Sequence, residues 1–160
     1  MLWLAETMCV FHKLLGLAAC DVAEVALRHV PKDARLPAAA LKVRRSHLHG
    51  KKSHKHVTAA MRANQIALDR LTYFYARSGV RSALRAVIPA VSDNPWHMPA
   101  ATAAGWVVDA AGQQARPAIH LAGIYVHRRI AMAEAAEEKV LADIVRKRIP
   151  AAVMVKACGL

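Results

Sequence analysis

The sequence predicts an all-α protein. Hydrophobic residues make up 56% of the 160 residues, aromatic residues make up only 5%, and alanine supplies much of the apolar content. Alanine-rich sequence with few β-branched runs favours helices over strands. Apolar residues also recur at intervals of three and four, which is the spacing of one helix face. The length fits one domain of ordinary size, with an extended basic arm and a long helix before a small helical C-terminal domain.

Residues 1–40 are predicted to form an amphipathic helical N-terminal extension. Apolar residues at helical spacing run from Met1 to Val30, and Pro31 and Pro37 bracket a short linker after them. No apolar run in the sequence reaches the roughly 18 residues that a membrane span needs. A secretory signal or an Arg-rich transit peptide is not evident either. We therefore expect no membrane span.

Residues 41–87 are predicted to form a basic arm followed by a long helix. The segment Leu41–Arg85 has eleven Lys and Arg residues against one acid, Asp69, and carries most of the net charge of +12. Charge of one sign at this density indicates a polyanionic partner. The part up to His56 is too polar to pack as an isolated helix in water. It is either a disordered linker or an arm that orders on an anion, and we favour the arm.

The long helix is predicted to extend from Val57 to Val87. Arg77, Arg81 and Arg85 recur every four residues and therefore line one face. This row is either a solvated face or a phosphate-facing surface that continues the arm. The predicted polyanion-binding residues of the whole block are Lys42, Arg44, Arg45, His47, His49, Gly50, Lys51, Lys52, His54, Lys55, His56, Arg62, Arg70, Arg77, Arg81 and Arg85.

Two further parts complete the prediction. Residues 88–105 are predicted to be a Pro/Ala-rich insertion, because Pro89, Pro95 and Pro99 end helices and favour turns. Residues 106–160 are predicted to be a helical globular domain. Its helices are predicted at Trp106–Ala115, Ala118–Ala131 and Ala133–Ile149. The last of these has acids in its first turns and bases in its last turn, which complements the helix dipole.

The sequence shows no catalytic constellation, so we expect no enzyme activity, no cofactor and no small-molecule substrate. A glycine-rich phosphate loop, a GxSxG motif and an HExxH motif are all missing. The odd number of cysteines argues against a disulfide framework. His47-x-His49 and His54-x-His56 resemble a transition-metal pattern. The lysines between them raise the cost of binding a dication, however, and contacts to phosphates or bases suit these histidines better.

Several stretches, in order along the chain, resemble the bacterial-type large-subunit ribosomal protein L-twenty family. His47–Ser53 resembles the family's aromatic, basic, Gly, basic, basic, Ser/Asn element, which precedes a long basic helix. Lys139–Ile144 is similar to its Lys-Ile/Val-Leu-Ala-Asp-Leu/Ile signature, and Trp106-Val107 lies at nearly the family's distance before it. Gln114–Arg116 falls near the family's Ala-Ala-Arg, and the apolar Pro150–Ala157 resembles its C-terminal turn.

This resemblance implies a structural constituent of the large ribosomal subunit. Such a protein binds large-subunit rRNA through its arm and long helix, contacts neighbouring ribosomal proteins and supports subunit assembly. Lysines and arginines of the arm would neutralise phosphates and release counterions, which makes binding salt-dependent. Gly50 would let the backbone turn tightly or approach RNA closely.

The chain also departs from the family, and the departures suggest an organellar member. The basic run beyond the long helix is thinned, residues 1–40 and 88–105 are additions, and Asp109 stands where the family usually has Arg. We therefore expect a mitochondrial ribosome. The alternative is an accessory subunit of an organellar membrane complex with a basic lipid-facing patch. A DNA-binding module is disfavoured, because the basic block shows no convincing helix-turn-helix pattern.

Overall fold

The computed structural model describes residues 12–30, 35–74, 79–92, 99–115 and 124–153, and these ranges confirm the all-α class. Within them the chain contains helices and turns and no strand. The α-helices are α1 (His12–Ala26), α2 (Arg35–Leu48), α3 (His54–Phe74), α4 (Val80–Val91), α5 (Pro99–Ala115) and α6 (Ile124–Arg148). A short 3-10 helix, Leu27–His29, directly follows α1.

Helix α4 lies at the centre of the fold, with nine of its twelve residues buried. Leu84 packs with Val107 in a core cluster that unites α1, α4, α5 and α6. Val87 packs with Leu41 and Val57 in a second cluster that unites α1, α2, α3 and α4. Because one short helix contributes to both clusters, it connects the basic block to the C-terminal helices.

Helix α1 is an integral part of the core. Ala18, Ala19, Cys20, Val22 and Ala23 are all fully buried, and their small size allows neighbouring helices to approach closely. The helix contacts α2, α4, α5 and α6. The predicted extension 1–40 therefore includes a helix that packs on both the basic block and the C-terminal helices. Its first eleven residues lie outside the described residues.

The long helix predicted over Val57–Val87 is divided in the structure. Helix α3 begins at His54 and ends at Phe74, and α4 begins at Val80. A Cβ atom on Gly79 would lie 2.5 Å from the carbonyl oxygen of Ala110. Only glycine therefore allows the chain to start α4 this close to the backbone of α5.

The prolines of the predicted insertion do not all break helices. Helix α4 continues through Pro89 to Val91, where the Ser92 N–H donates to the carbonyl of Ile88 at 3.1 Å. A proline inside a helix costs about 3 kcal/mol, and burial of Val87 and Val91 beside it offsets that cost. Pro99 is the first residue of α5, a position where its missing N–H costs no hydrogen bond.

Two predicted C-terminal boundaries also differ from the structure. The predicted end of the first helix at Ala115 agrees with α5, although α5 begins seven residues before Trp106. Where the structure describes them, the two helices predicted over 118–131 and 133–149 form one continuous helix, α6, which begins at Ile124 and ends at Arg148. Residues 116–123 and 154–160 lie outside the described ranges.

The predicted extended arm is helical over its first half. Residues 41–48 form the second half of α2, because the buried positions Pro37, Ala40, Leu41 and Arg44 recur at intervals of three and four. Only residues 49–53 lie between α2 and α3. The basic block thus contains two helices joined by a short turn.

Gly50 ends α2 in a Schellman motif. Its φ angle is +74°, the Lys51 N–H donates to the Ser46 carbonyl at 2.8 Å, and the Gly50 N–H donates to the His47 carbonyl at 2.7 Å. This pattern satisfies carbonyls at the helix end and requires a left-handed residue. The glycine is therefore explained by helix capping.

We predict that Gly50→Ala lowers the free energy of unfolding by about 1 kcal/mol, because a Cβ atom disfavours the left-handed conformation. The matched control is Gly105→Ala. Gly105 is exposed within α5, and a Cβ there meets nothing within 4 Å. Alanine at that site should stabilise the protein by up to about 1 kcal/mol. Equal effects of the two substitutions in thermal denaturation would contradict this role of Gly50.

Candidate nucleic-acid interface

The exposed part of the basic block is concentrated at the junction of α2 and α3. We call residues 49–56 the cationic turn. His49, Lys51, Lys52, His54, Lys55 and His56 are all exposed there. The sequence contains no Asp or Glu between Asp33 and Asp69, so the local chain supplies no acid to balance this charge. Such a surface attracts anions.

The cationic turn coincides with the N-terminus of α3. Ser53 precedes the helix: its carbonyl accepts the His56 N–H at 3.1 Å, and its hydroxyl lies 2.8 Å from His56 Nδ1. The first turn contains no acidic residue. A helix N-terminus carries a partial positive charge, so the added cation of Lys55 is unfavourable there. A bound phosphate group would reverse this penalty.

His47 stabilises the turn from within. Its Nδ1 lies 2.8 Å from the carbonyl oxygen of Lys52, and because a carbonyl only accepts, Nδ1 carries the proton. Its ring contacts the ring of His54 edge-on, with centroids 6.4 Å apart. We therefore assign His47 to positioning of the turn, while His49, His54 and His56 remain on the surface.

Arg44 and Arg45 face the protein. Arg44 is only 3% exposed, and burial lowers the pKa of its guanidinium. It lies near Cys20, where burial raises the thiol pKa to about 12. Arg45 donates to Asp21 at 2.9 Å and to Glu24 at 2.5 Å, and the hydrogen bond to Glu24 raises the Arg45 pKa. Residues of an RNA-binding arm would extend their guanidinium groups away from the protein, whereas those of Arg44 and Arg45 face it.

The structure describes two members of the predicted arginine row, Arg81 and Arg85, and neither lies on a free phosphate-facing surface. The Arg85 guanidinium lies 4.9 Å from the centroid of the Trp106 ring, a cation–π contact that joins α4 to α5. Arg81 is half-buried on the same helix. Arg77 lies outside the described residues.

Three other predicted residues extend the cationic turn. Arg62 and Arg70 are exposed on α3, and Lys42 is exposed on α2. Lys55 and Arg62 are seven residues apart and so share one face of α3. Together with the turn they form one candidate interface.

Asp21 joins three helices through two arginines. It accepts from Arg45 of α2 at 2.9 Å and from Arg148 of α6 at 2.6 Å, and its side chain is 20% exposed. We predict that Asp21→Ala lowers the free energy of unfolding by about 2 kcal/mol, because it leaves two part-buried cations without this carboxylate. Urea denaturation measures the effect.

The control for this prediction is Asp143→Ala. Asp143 pairs with Arg146 at 2.8 Å, but both side chains are more than half exposed. Loss of such a pair costs about 0.5 kcal/mol or less. An Asp21→Ala variant as stable as Asp143→Ala would contradict the bridging role.

No three His, Cys, Asp or Glu side chains of the described residues are grouped so as to hold a metal ion. None of the described helices is long and apolar enough to cross a membrane.

Comparisons with protein-family models, with curated proteins and with solved structures found no match to this chain.

Proposed function

We propose that this protein is a structural constituent of the large subunit of a mitochondrial ribosome, where it binds large-subunit rRNA and supports assembly. The observation that carries the proposal is the cationic turn, which exposes six Lys and His side chains at a helix N-terminus with no acid nearby in the sequence. Phosphate groups are the natural ligands of such a surface.

The stretches that resemble the L-twenty family lend further support. The Gly50-centred element begins in the last residues of α2 and precedes a basic helix. Val107, next to Trp106, and Leu141, within Lys139–Ile144, pack in the same core cluster. Both landmarks therefore belong to one helical core, which α1 and α4 share.

The interface that we propose is smaller than the sequence alone indicates. Arg44, Arg45 and Arg85 are occupied by contacts within the protein. The exposed residues that we propose contact rRNA are Lys42, His49, Lys51, Lys52, His54, Lys55, His56, Arg62 and Arg70. A reduced RNA footprint fits a ribosomal protein that also depends on protein neighbours for its position.

Sedimentation of the tagged full chain tests the proposal. A mitochondrial extract is separated on sucrose gradients at low and moderate salt, with and without ribonuclease. We expect co-migration with the large subunit that persists at moderate salt and is lost after ribonuclease treatment. Co-migration with a membrane complex that lacks rRNA, unchanged by ribonuclease, would support the lipid-facing alternative and contradict the proposal. With purified protein, binding to RNA is compared with binding to duplex DNA of the same length.

A further inference from the structure

A groove of about 410 Å³ lies beside the cationic turn. Its walls come from the end of α1, the 3-10 helix that follows, α2 and the turn itself. The apolar lining residues, here called the floor, are Leu27, Ala38 and Leu41; Leu27 and Ala38 provide its accessible surface, because Leu41 is only 2% exposed. The rim is polar and includes Lys42, Lys51 and Ser46. A groove with an apolar floor and a few polar groups at its rim is typical of sites for small organic ligands.

The capping glycine places one of the two rim lysines. Because Gly50 adopts a left-handed conformation, the chain turns back and the Lys51 N–H bonds to the Ser46 carbonyl at 2.8 Å. Lys51 therefore returns to the side of α2 that carries Lys42, and both lysines line the same groove.

The charged residues at the rim give the groove entrance a net positive charge. Arg45 also lines the groove, but its guanidinium is paired with Glu24 at 2.5 Å. Lys42 and Lys51 are exposed, and neither forms an ion pair with the part of the chain that the structure describes. Two lysines thus remain for an anionic group. The Glu24 side chain is 57% exposed, so its carboxylate also offers an acceptor at the rim.

We infer that this groove binds one unpaired nucleotide of an RNA strand. The base lies against the accessible part of the floor, Leu27 and Ala38, and its phosphate lies between Lys42 and Lys51. Glu24 accepts a hydrogen bond from the ribose 2′-hydroxyl or from an exocyclic amino group. This inference rests on the proposed function and deepens it, because it adds recognition of an extruded base to the phosphate contacts of the cationic turn.

The groove chemistry favours a nucleotide over inorganic phosphate. Phosphate alone would satisfy the lysines but would leave the apolar floor in water. A nucleotide covers the floor with its base, and its ribose hydroxyl or exocyclic amino group donates to Glu24. Paired bases cannot enter the groove, so the protein should prefer single-stranded RNA to a duplex.

Binding of two RNAs to the full chain tests this inference. Fluorescence anisotropy compares a single-stranded oligonucleotide with a blunt hairpin of the same length. We expect the wild-type protein to bind the single strand about tenfold more tightly. Ala38→Phe fills the groove and should abolish this preference, while leaving hairpin binding unchanged. The matched control is Ala39→Phe, since Ala39 is also exposed on α2 but does not line the groove.

A competition measurement needs no variant. Adenosine monophosphate should displace the single strand from the wild-type protein at lower concentration than inorganic phosphate does. Equal displacement by the two competitors, or identical behaviour of Ala38→Phe and Ala39→Phe, would overturn the inference that the groove binds a nucleotide. The proposed function would still stand. A wild-type protein that binds neither RNA would overturn the proposed function and the groove with it.

Discussion

Replacement of both Lys51 and Lys52 by glutamate is expected to weaken RNA binding about a hundredfold at physiological salt. Both side chains are exposed in the cationic turn, so each substitution removes a phosphate contact and adds a repulsive charge. Two lost contacts should also make the plot of log affinity against log salt shallower by about two units of slope. Anisotropy titrations over a range of salt concentrations measure both quantities.

The control for this prediction carries the same change of charge at a different place. Arg128 and Arg129 are an exposed basic pair on α6, outside the candidate interface. Replacement of both by glutamate should reduce affinity only through the long-range field, by about threefold, and should change the salt slope by much less than two units. If the two double variants lose affinity equally, RNA binding depends on net charge alone and the cationic turn is not the interface.

The second large effect is on stability. Leu84 is fully buried in α4 and belongs to the core cluster that joins α1, α4, α5 and α6. Leu84→Ala removes buried apolar surface and leaves a cavity, which typically costs about 3 kcal/mol. For a domain of this size the melting temperature should fall by about 9 °C.

Leu36→Ala is the matched control. Leu36 lies on α2 with 48% of its surface exposed, so the same substitution should cost about 0.5 kcal/mol or less. Thermal melts of both variants, followed by circular dichroism, make the comparison. Similar melting temperatures for the two variants would contradict a core built around α4.

The helical class and the special role of Gly50 were predictable from local sequence. Alanine-rich segments with apolar spacing of three and four indicate helices wherever they occur, and a glycine between a helix and a polar turn indicates a left-handed cap. The helical start of the basic block, in contrast, was not predicted. The buried positions Pro37, Ala40, Leu41 and Arg44 follow the helical period, but a charged residue at one of them conceals the pattern.

The roles of individual arginines were not predictable, because they depend on partners far away in the sequence. Arg45 is paired with Asp21 and Glu24, more than twenty residues before it. Arg85 lies over Trp106, which belongs to a different helix. A spacing rule places residues on one helix face, but it does not say whether water, RNA or another helix covers that face.

The sequence contains a sign that the long predicted helix is divided, but only the folded structure shows why the division is necessary. Gly79 interrupts the pattern, but glycine inside a helical pattern is tolerated at a cost of about 1 kcal/mol. The close approach of the Ala110 carbonyl makes glycine necessary at this position. In the same way, tertiary packing allows α4 to remain helical at Pro89.

The most direct test of the central claim is a map of RNA–protein cross-links. The tagged full chain is purified in its native particle and irradiated with ultraviolet light, and cross-linked peptides and nucleotides are identified by mass spectrometry and sequencing. We predict cross-links from residues 49–56 and from the exposed face of α3 near Arg62, all to large-subunit rRNA. Cross-links confined to α6, or a particle that yields no rRNA cross-link to the cationic turn, would contradict the claim.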